Sequence, residues 1–182
     1  MSRILVIPGS WRKGSLNAAL AYAAVECAPP GCTVTVESIH DVPLYDGDVE
    51  AAGIPATVER LKDAIAAADG VILVSPEYNN GVPGVLKNAF DWCSRPPKDQ
   101  ARVFRDRAFG VIGATPGAGG TRIGQTAWLP ILRVVGTRFY SGASVFVSDG
   151  GKAIVDGKLT DAKTREILSK YMQGFDAFAK RS

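Results

Sequence analysis

Ser10, Arg12, Ser15 and Asn17 crowd one short loop, Gly9-Ser10-Trp11-Arg12-Lys13-Gly14-Ser15-Leu16-Asn17, where an apolar run gives way to an alanine-rich stretch. Two hydroxyls, an amide and a planar guanidinium are the groups that hold phosphate oxygens. Backbone N–H groups at the start of a following helix would add further donors. The loop is not a P-loop, since Lys13 precedes Gly14 instead of following a glycine and leading into Ser or Thr. Nor is it a dinucleotide fingerprint, because Ser10 and Trp11 follow Gly9 where a second glycine is needed. Taken alone, the stretch suits a phosphate or an ordinary capped turn equally well.

Two further stretches have chemistry to offer. Pro76-Glu77-Tyr78-Asn79-Asn80-Gly81 combines a carboxylate, an aromatic ring and two amides, a mixture that grips the edge of a flat polar heterocycle. Thr115-Pro116-Gly117-Ala118-Gly119-Gly120 has little side-chain bulk, so its backbone can approach such a ring closely. Arg122 stands where a dinucleotide fingerprint would have its last glycine.

Each stretch follows a strand pattern and leads into a helix pattern. Ile4–Ile7 and Val71–Val74 are continuous apolar runs, as in parallel strands covered on both faces, and Phe109–Ala114 is a third strand of this kind. Cys32–Ser38 alternates and is a more exposed strand; Arg138–Val147 is strand-like with a break at Gly142. Helical periods cover Asn17–Cys27, capped by Ser15 or Ser10, then Val58–Ala68, Val85–Cys93, Thr121–Val135 with an interruption at Pro130, and Asp161–Lys180. Asp41–Pro55 lacks a sustained period and reads as loop. The order βαβαβαβαβα predicts an α/β fold, a five-stranded parallel sheet with helices on both faces, whose strand-to-helix loops gather at the carboxyl edge.

The 182 residues suit a single domain over 1–182, with no apolar stretch long enough for a membrane span, and the cytoplasm is the expected location. Three cysteines without CxxC spacing and one histidine give no metal-site pattern. A scattered net charge of +3 does not mark a nucleic-acid binder.

The first loop, together with Pro76-Glu77-Tyr78-Asn79-Asn80-Gly81-Val82-Pro83-Gly84-Val85-Leu86-Lys87-Asn88-Ala89-Phe90-Asp91-Trp92, resembles the NADPH-dependent FMN reductases, a flavodoxin-like family that includes chromate, quinone and azo-dye reductases. The resemblance implies a flavodoxin-like three-layer α/β/α fold. It further implies FMN, with Ser10, Arg12, Ser15, Leu16 and Asn17 at its phosphate and Pro76, Glu77, Tyr78, Asn79 and Asn80 beside its ring. Thr115, Pro116 and Gly117 complete the implied set, although Pro116 lacks the N–H that a family serine would bring. NADPH, or alternatively NADH, would pass hydride to FMN, which then reduces a small acceptor such as a quinone, azo compound or chromate. No amino-acid nucleophile is required. The rival readings are a flavodoxin-like electron carrier and an FMN-binding redox sensor without a nicotinamide site. Arg95, Arg105, Arg107 and Arg122 are candidates for a 2′-phosphate, and Tyr45 and Asp46 for the site's border. The resemblance also implies a homodimer or homotetramer, for which Phe90 and Trp92 beside Lys87 and Asp91 suggest a contact surface whose partner walls the nicotinamide pocket. Core packing is the competing account of both aromatics, and loop geometry that of Glu77.

Overall fold

Strands that are apolar at every position must be covered on both faces, and those of this protein are. In the computed structural model, which describes residues 1–181, the elements in chain order are β1 (Ser2–Pro8), α1 (Leu16–Glu26), β2 (Cys32–Val36), α2 (Gly47–Ala52), α3 (Ala56–Ala67), β3 (Gly70–Val74), α4 (Gly84–Cys93), α5 (Gln100–Val103), β4 (Ala108–Ala114), α6 (Arg122–Val134), β5 (Arg138–Phe139), β6 (Phe146–Val147), α7 (Gly150–Ala153), β7 (Ile154–Val155), β8 (Lys158–Leu159) and α8 (Ala162–Ala179). The main sheet has the order β2-β1-β3-β4-β5, with β6 beside β4, and every pairing in it is parallel. This is the flavodoxin-like order, in which β1 and β3 flank the point where the chain changes direction across the sheet.

Alternate strand residues divide the core into two layers. Ile4, Val6, Ile72, Val74 and Ile112 pack with α1 and α8, whereas Leu5, Ile7, Val71, Leu73 and Val111 pack with α3, α4 and α6. Burial at this scale is worth roughly 1.5–3 kcal/mol per large aliphatic side chain and fixes the register of each strand. The position of the loops follows from that register.

Several boundaries differ from expectation. The stretch read as loop between Asp41 and Pro55 contains α2, capped by the Asp46 carboxylate on Asp48 N–H at 2.8 Å. Helix α6 runs through Pro130 without interruption, because the proline lies on the exposed face, where the carbonyl it leaves unpaired meets water. The segment from Arg138 to Val147 pairs with β4 only at its two ends, as β5 and β6. Helix α8 begins at Ala162, one residue later than read, with Asp161, one of the two caps that Thr160-Asp161 offers, accepting from Thr164 N–H at 2.7 Å. Phe90 and Trp92 are buried within the chain, Trp92 donating to the Pro43 carbonyl at 2.9 Å, so neither forms the contact surface expected of them. Core packing won because Phe90 faces the layer beneath α4, whereas Trp92 is covered by the segment around Pro43 and Tyr45, with its ring edge-on to Tyr45 at 4.9 Å.

Candidate functional site

The first loop leaves β1 at Pro8 and enters α1 at Leu16. Ser15 is the helix cap: its Oγ accepts from Ala18 N–H at 3.2 Å, which leaves the hydroxyl hydrogen free to donate. The N–H groups of Leu16 and Asn17, next in line, meet no acceptor among the described residues. Arg12 is exposed, and its guanidinium makes one hydrogen bond, 3.3 Å to the Lys13 carbonyl. Asn17 has a structural task that its neighbours in sequence do not show. Its buried side chain exchanges two 2.9 Å hydrogen bonds with the backbone of Ala114, so it braces the first loop against the end of β4.

The second loop is a tight turn resting on α6. Tyr78 and Gly81 pair in an isolated bridge, and Asn79 and Asn80 between them both take positive φ, 50° and 59°, which asparagine tolerates better than most residues. Glu77 Oε2 accepts from Gly124 N–H at 2.7 Å in the first turn of α6. A Cβ on Gly124 would lie 3.1 Å from Glu77 Cβ and Cγ, so a larger residue would push the loop back by a few tenths of an ångström. The carboxylate therefore fixes loop geometry at a helix N-terminus, where negative charge is favoured.

The third loop is held from the side. Thr115 N–H donates to Val147 (3.0 Å), Gly150 N–H to the Thr115 carbonyl (2.8 Å), and Asp149 N–H to Gly117 (3.0 Å). The sequence held no expectation that Val147–Gly150 supports the site.

The three loops enclose one cavity of about 150 Å3 at the carboxyl edge. Ser10, Arg12, Ser15, Leu16 and Asn17 line it from the first loop, Pro76, Glu77 and Tyr78 from the second, and Ala114, Thr115 and Pro116 from the third. Asn79, Asn80 and Gly117 lie outside its lining. Of the arginines considered for a 2′-phosphate, Arg105 and Arg107 sit at the opposite edge of the sheet, Arg95 pairs with Glu50 at 2.9 Å, and Arg122 lies over the Phe146 ring. Tyr45 and Asp46 belong to the segment packed on α4, Tyr45 N–H donating to Asn88 Oδ1 at 2.9 Å, and neither lines the cavity.

A sequence model described as NADPH-dependent FMN reductase matches residues 2–152. The chain belongs to this family. It is 36% identical to an NAD(P)H-dependent FMN reductase of Pseudomonas aeruginosa over 98% of this chain and 96% of that one. It is also 45% identical to a quinone reductase of Escherichia coli over 117 residues, 61% of this chain and 62% of the other. Among solved structures, FerB, a flavoenzyme NAD(P)H:acceptor oxidoreductase from Paracoccus denitrificans, superposes with a TM-score of 0.89 at 32% identity, covering 100% of this chain and 98% of its own. The protein is accordingly a flavodoxin-like oxidoreductase that uses FMN and NAD(P)H. The cavity fits that cofactor: open N–H groups at the start of α1, a free hydroxyl donor and a guanidinium with a single hydrogen bond suit a phosphate, and the lining by Glu77, Tyr78 and Thr115 suits the edge of a ring.

Proposed function

We propose that FMN binds with its phosphate at Ser10, Arg12, Ser15 and the N–H groups of Leu16 and Asn17, and with its ring against Pro76–Tyr78 and Thr115–Pro116. The observation that carries this reading is the convergence of the three loops on one cavity beside the open N-terminus of α1. When bound, FMN supplies the hydride chemistry between NAD(P)H and a small acceptor of the quinone type. The chain's own residues anchor the phosphate, fix the second loop through Glu77 and Gly124, and keep one side of the ring accessible. The whole chain serves as one flavin-binding domain acting in the cytoplasm.

The active unit is a homodimer, which pairs again where it forms a tetramer. The support comes from α6, whose outer face exposes Ile123 (54%), Leu129 (39%) and Val134 (77%), with the first of these next to the glycine that receives Glu77. A partner on this face would wall the ring's open side. Anaerobic titration with NADPH should bleach the flavin absorption, and a quinone should restore it with turnover. A protein that binds FMN but is not reduced by nicotinamide would instead be a carrier or sensor. Sedimentation across a dilution series, with specific activity at each step, tests the dimer; a fully active monomer refutes it.

A further inference from the structure

A second cavity, of about 280 Å3, opens on the other side of Arg12 and is walled by Trp11, Arg12, His40, Val42, Leu44 and Val85. Arg12 lines both cavities, so a ligand that extends from one to the other passes its guanidinium. The walls are of two kinds. Trp11 gives an aromatic surface that packs on the core layer beneath α4, with Leu44 and Val85, 82% and 58% exposed, as an apolar rim. Beside them stand Arg12, whose guanidinium has only the Lys13 carbonyl, and the exposed imidazole of His40. The indole N–H groups of Trp92 and Trp128 donate to the Pro43 carbonyl and the Ser75 hydroxyl at 2.9 Å, but that of Trp11 is buried with no acceptor among the described residues. A shielded donor left unpaired is uncommon and marks a contact that the chain by itself leaves open.

An aromatic wall, an apolar rim, and a guanidinium beside an imidazole that can both donate to phosphate oxygens describe a purine nucleotide. We propose that this cavity takes the adenosine end of NADPH, the purine against Trp11 and the phosphates toward Arg12 and His40, with the nicotinamide directed to the cavity of the three loops. Of the other arginines considered for a 2′-phosphate, Arg95 pairs with Glu50, Arg122 lies over Phe146, and Arg105 and Arg107 sit at the far edge of the sheet. The proposal rests on the reading that FMN fills the neighbouring cavity.

The test compares two hydride donors on the holoenzyme, NADPH and reduced nicotinamide mononucleotide, which lacks the adenosine half. Trp11→Ala and His40→Ala should raise the half-saturating concentration of NADPH relative to that of the mononucleotide roughly tenfold. Adenosine 2′,5′-bisphosphate should compete with NADPH and quench indole emission, and Trp11→Phe should abolish the quenching. His40 is exposed, so its variant folds even if Trp11→Ala does not. Equal losses with both donors, or unchanged NADPH saturation in His40→Ala together with no quenching by the bisphosphate, would overturn the proposal. So would Trp11 emission that follows protein concentration and ignores the bisphosphate, which would assign this face to a second copy of the chain. A flavin titration separates the two levels: wild-type protein that takes up no FMN sinks the underlying reading, whereas normal uptake with any of these negative results sinks the adenosine site alone.

Discussion

At the carboxyl edge of the sheet Arg12 keeps one hydrogen bond, to the Lys13 carbonyl, whereas at the amino edge Arg107 gives its guanidinium to the carbonyls of Val103, Arg102 and Ala68. Arg138 is engaged in the same way as Arg107, donating to Asp106 at 2.7 Å and lying over the Phe178 ring. The amino-edge cavity, with Arg3, Arg105, Arg107 and Arg138 in its wall, has about 590 Å3 against about 150 Å3 at the three loops. Size therefore does not locate the chemistry. In a parallel α/β sheet the helices start at the carboxyl edge and end at the amino edge, so open N–H groups favour anions at one and open carbonyls favour cations at the other. Arg107 at the amino edge completes helix ends; Arg12 at the carboxyl edge remains available to a ligand.

The largest effect that separates the edges should come from Arg107→Ala. It strips several carbonyls of their donor, and about 2–4 kcal/mol should be lost in urea denaturation while FMN affinity stays within about twofold. A parallel collapse of flavin binding would show that the edges are not independent. Arg12→Ala should do the reverse: a flavin titration of the apoprotein should show affinity lower by roughly ten- to a hundredfold, about 1.5–3 kcal/mol, with the denaturation midpoint unmoved. Unchanged affinity would place the phosphate elsewhere.

Changes in the second loop should be smaller. Glu77→Ala should cost about 1 kcal/mol of stability by uncapping α6. Glu77→Gln and Tyr78→Ala should change the rate of flavin reduction more than the FMN off-rate, because the phosphate anchor is untouched. If stopped-flow reduction is normal and the flavin simply dissociates, the loop is an anchor. The smallest effect belongs to the amino edge. Burial of Asp176 opposes its ionisation, but Lys180 at 2.6 Å and the Ser2 hydroxyl outweigh this and hold its pKa below the usual aspartate value. A depressed pKa contributes stability above the unfolded-state value and loses it as pH falls through the folded-state value. Asp176→Asn should therefore flatten the acid limb of a stability profile below about pH 4. An unaltered limb would mean that other carboxylates set it.

The legible parts of the site were those encoded locally. Ser15 as a cap, the strand ends at Pro8 and Val74, and the third loop with its small side chains all follow from residues within a turn of one another. The bracing role of Asn17 was not legible because its partner, Ala114, lies 97 residues away. The role of Glu77 stayed open for the same reason, since Gly124 is 47 residues distant. Helix α2 was missed because none of its residues is buried, which leaves no apolar period to detect.

The sequence by itself determined the alternation of strands and helices, hence a parallel sheet with its loops on one rim, because apolar runs and periods are properties of neighbouring residues. Tertiary structure alone decided which polar groups on that rim stay free. A hydrogen bond to a distant backbone holds Asn17, Glu77 and Arg107 alike, and only the packed chain shows that Arg12, the Ser15 hydroxyl and the first amides of α1 are left without such a partner.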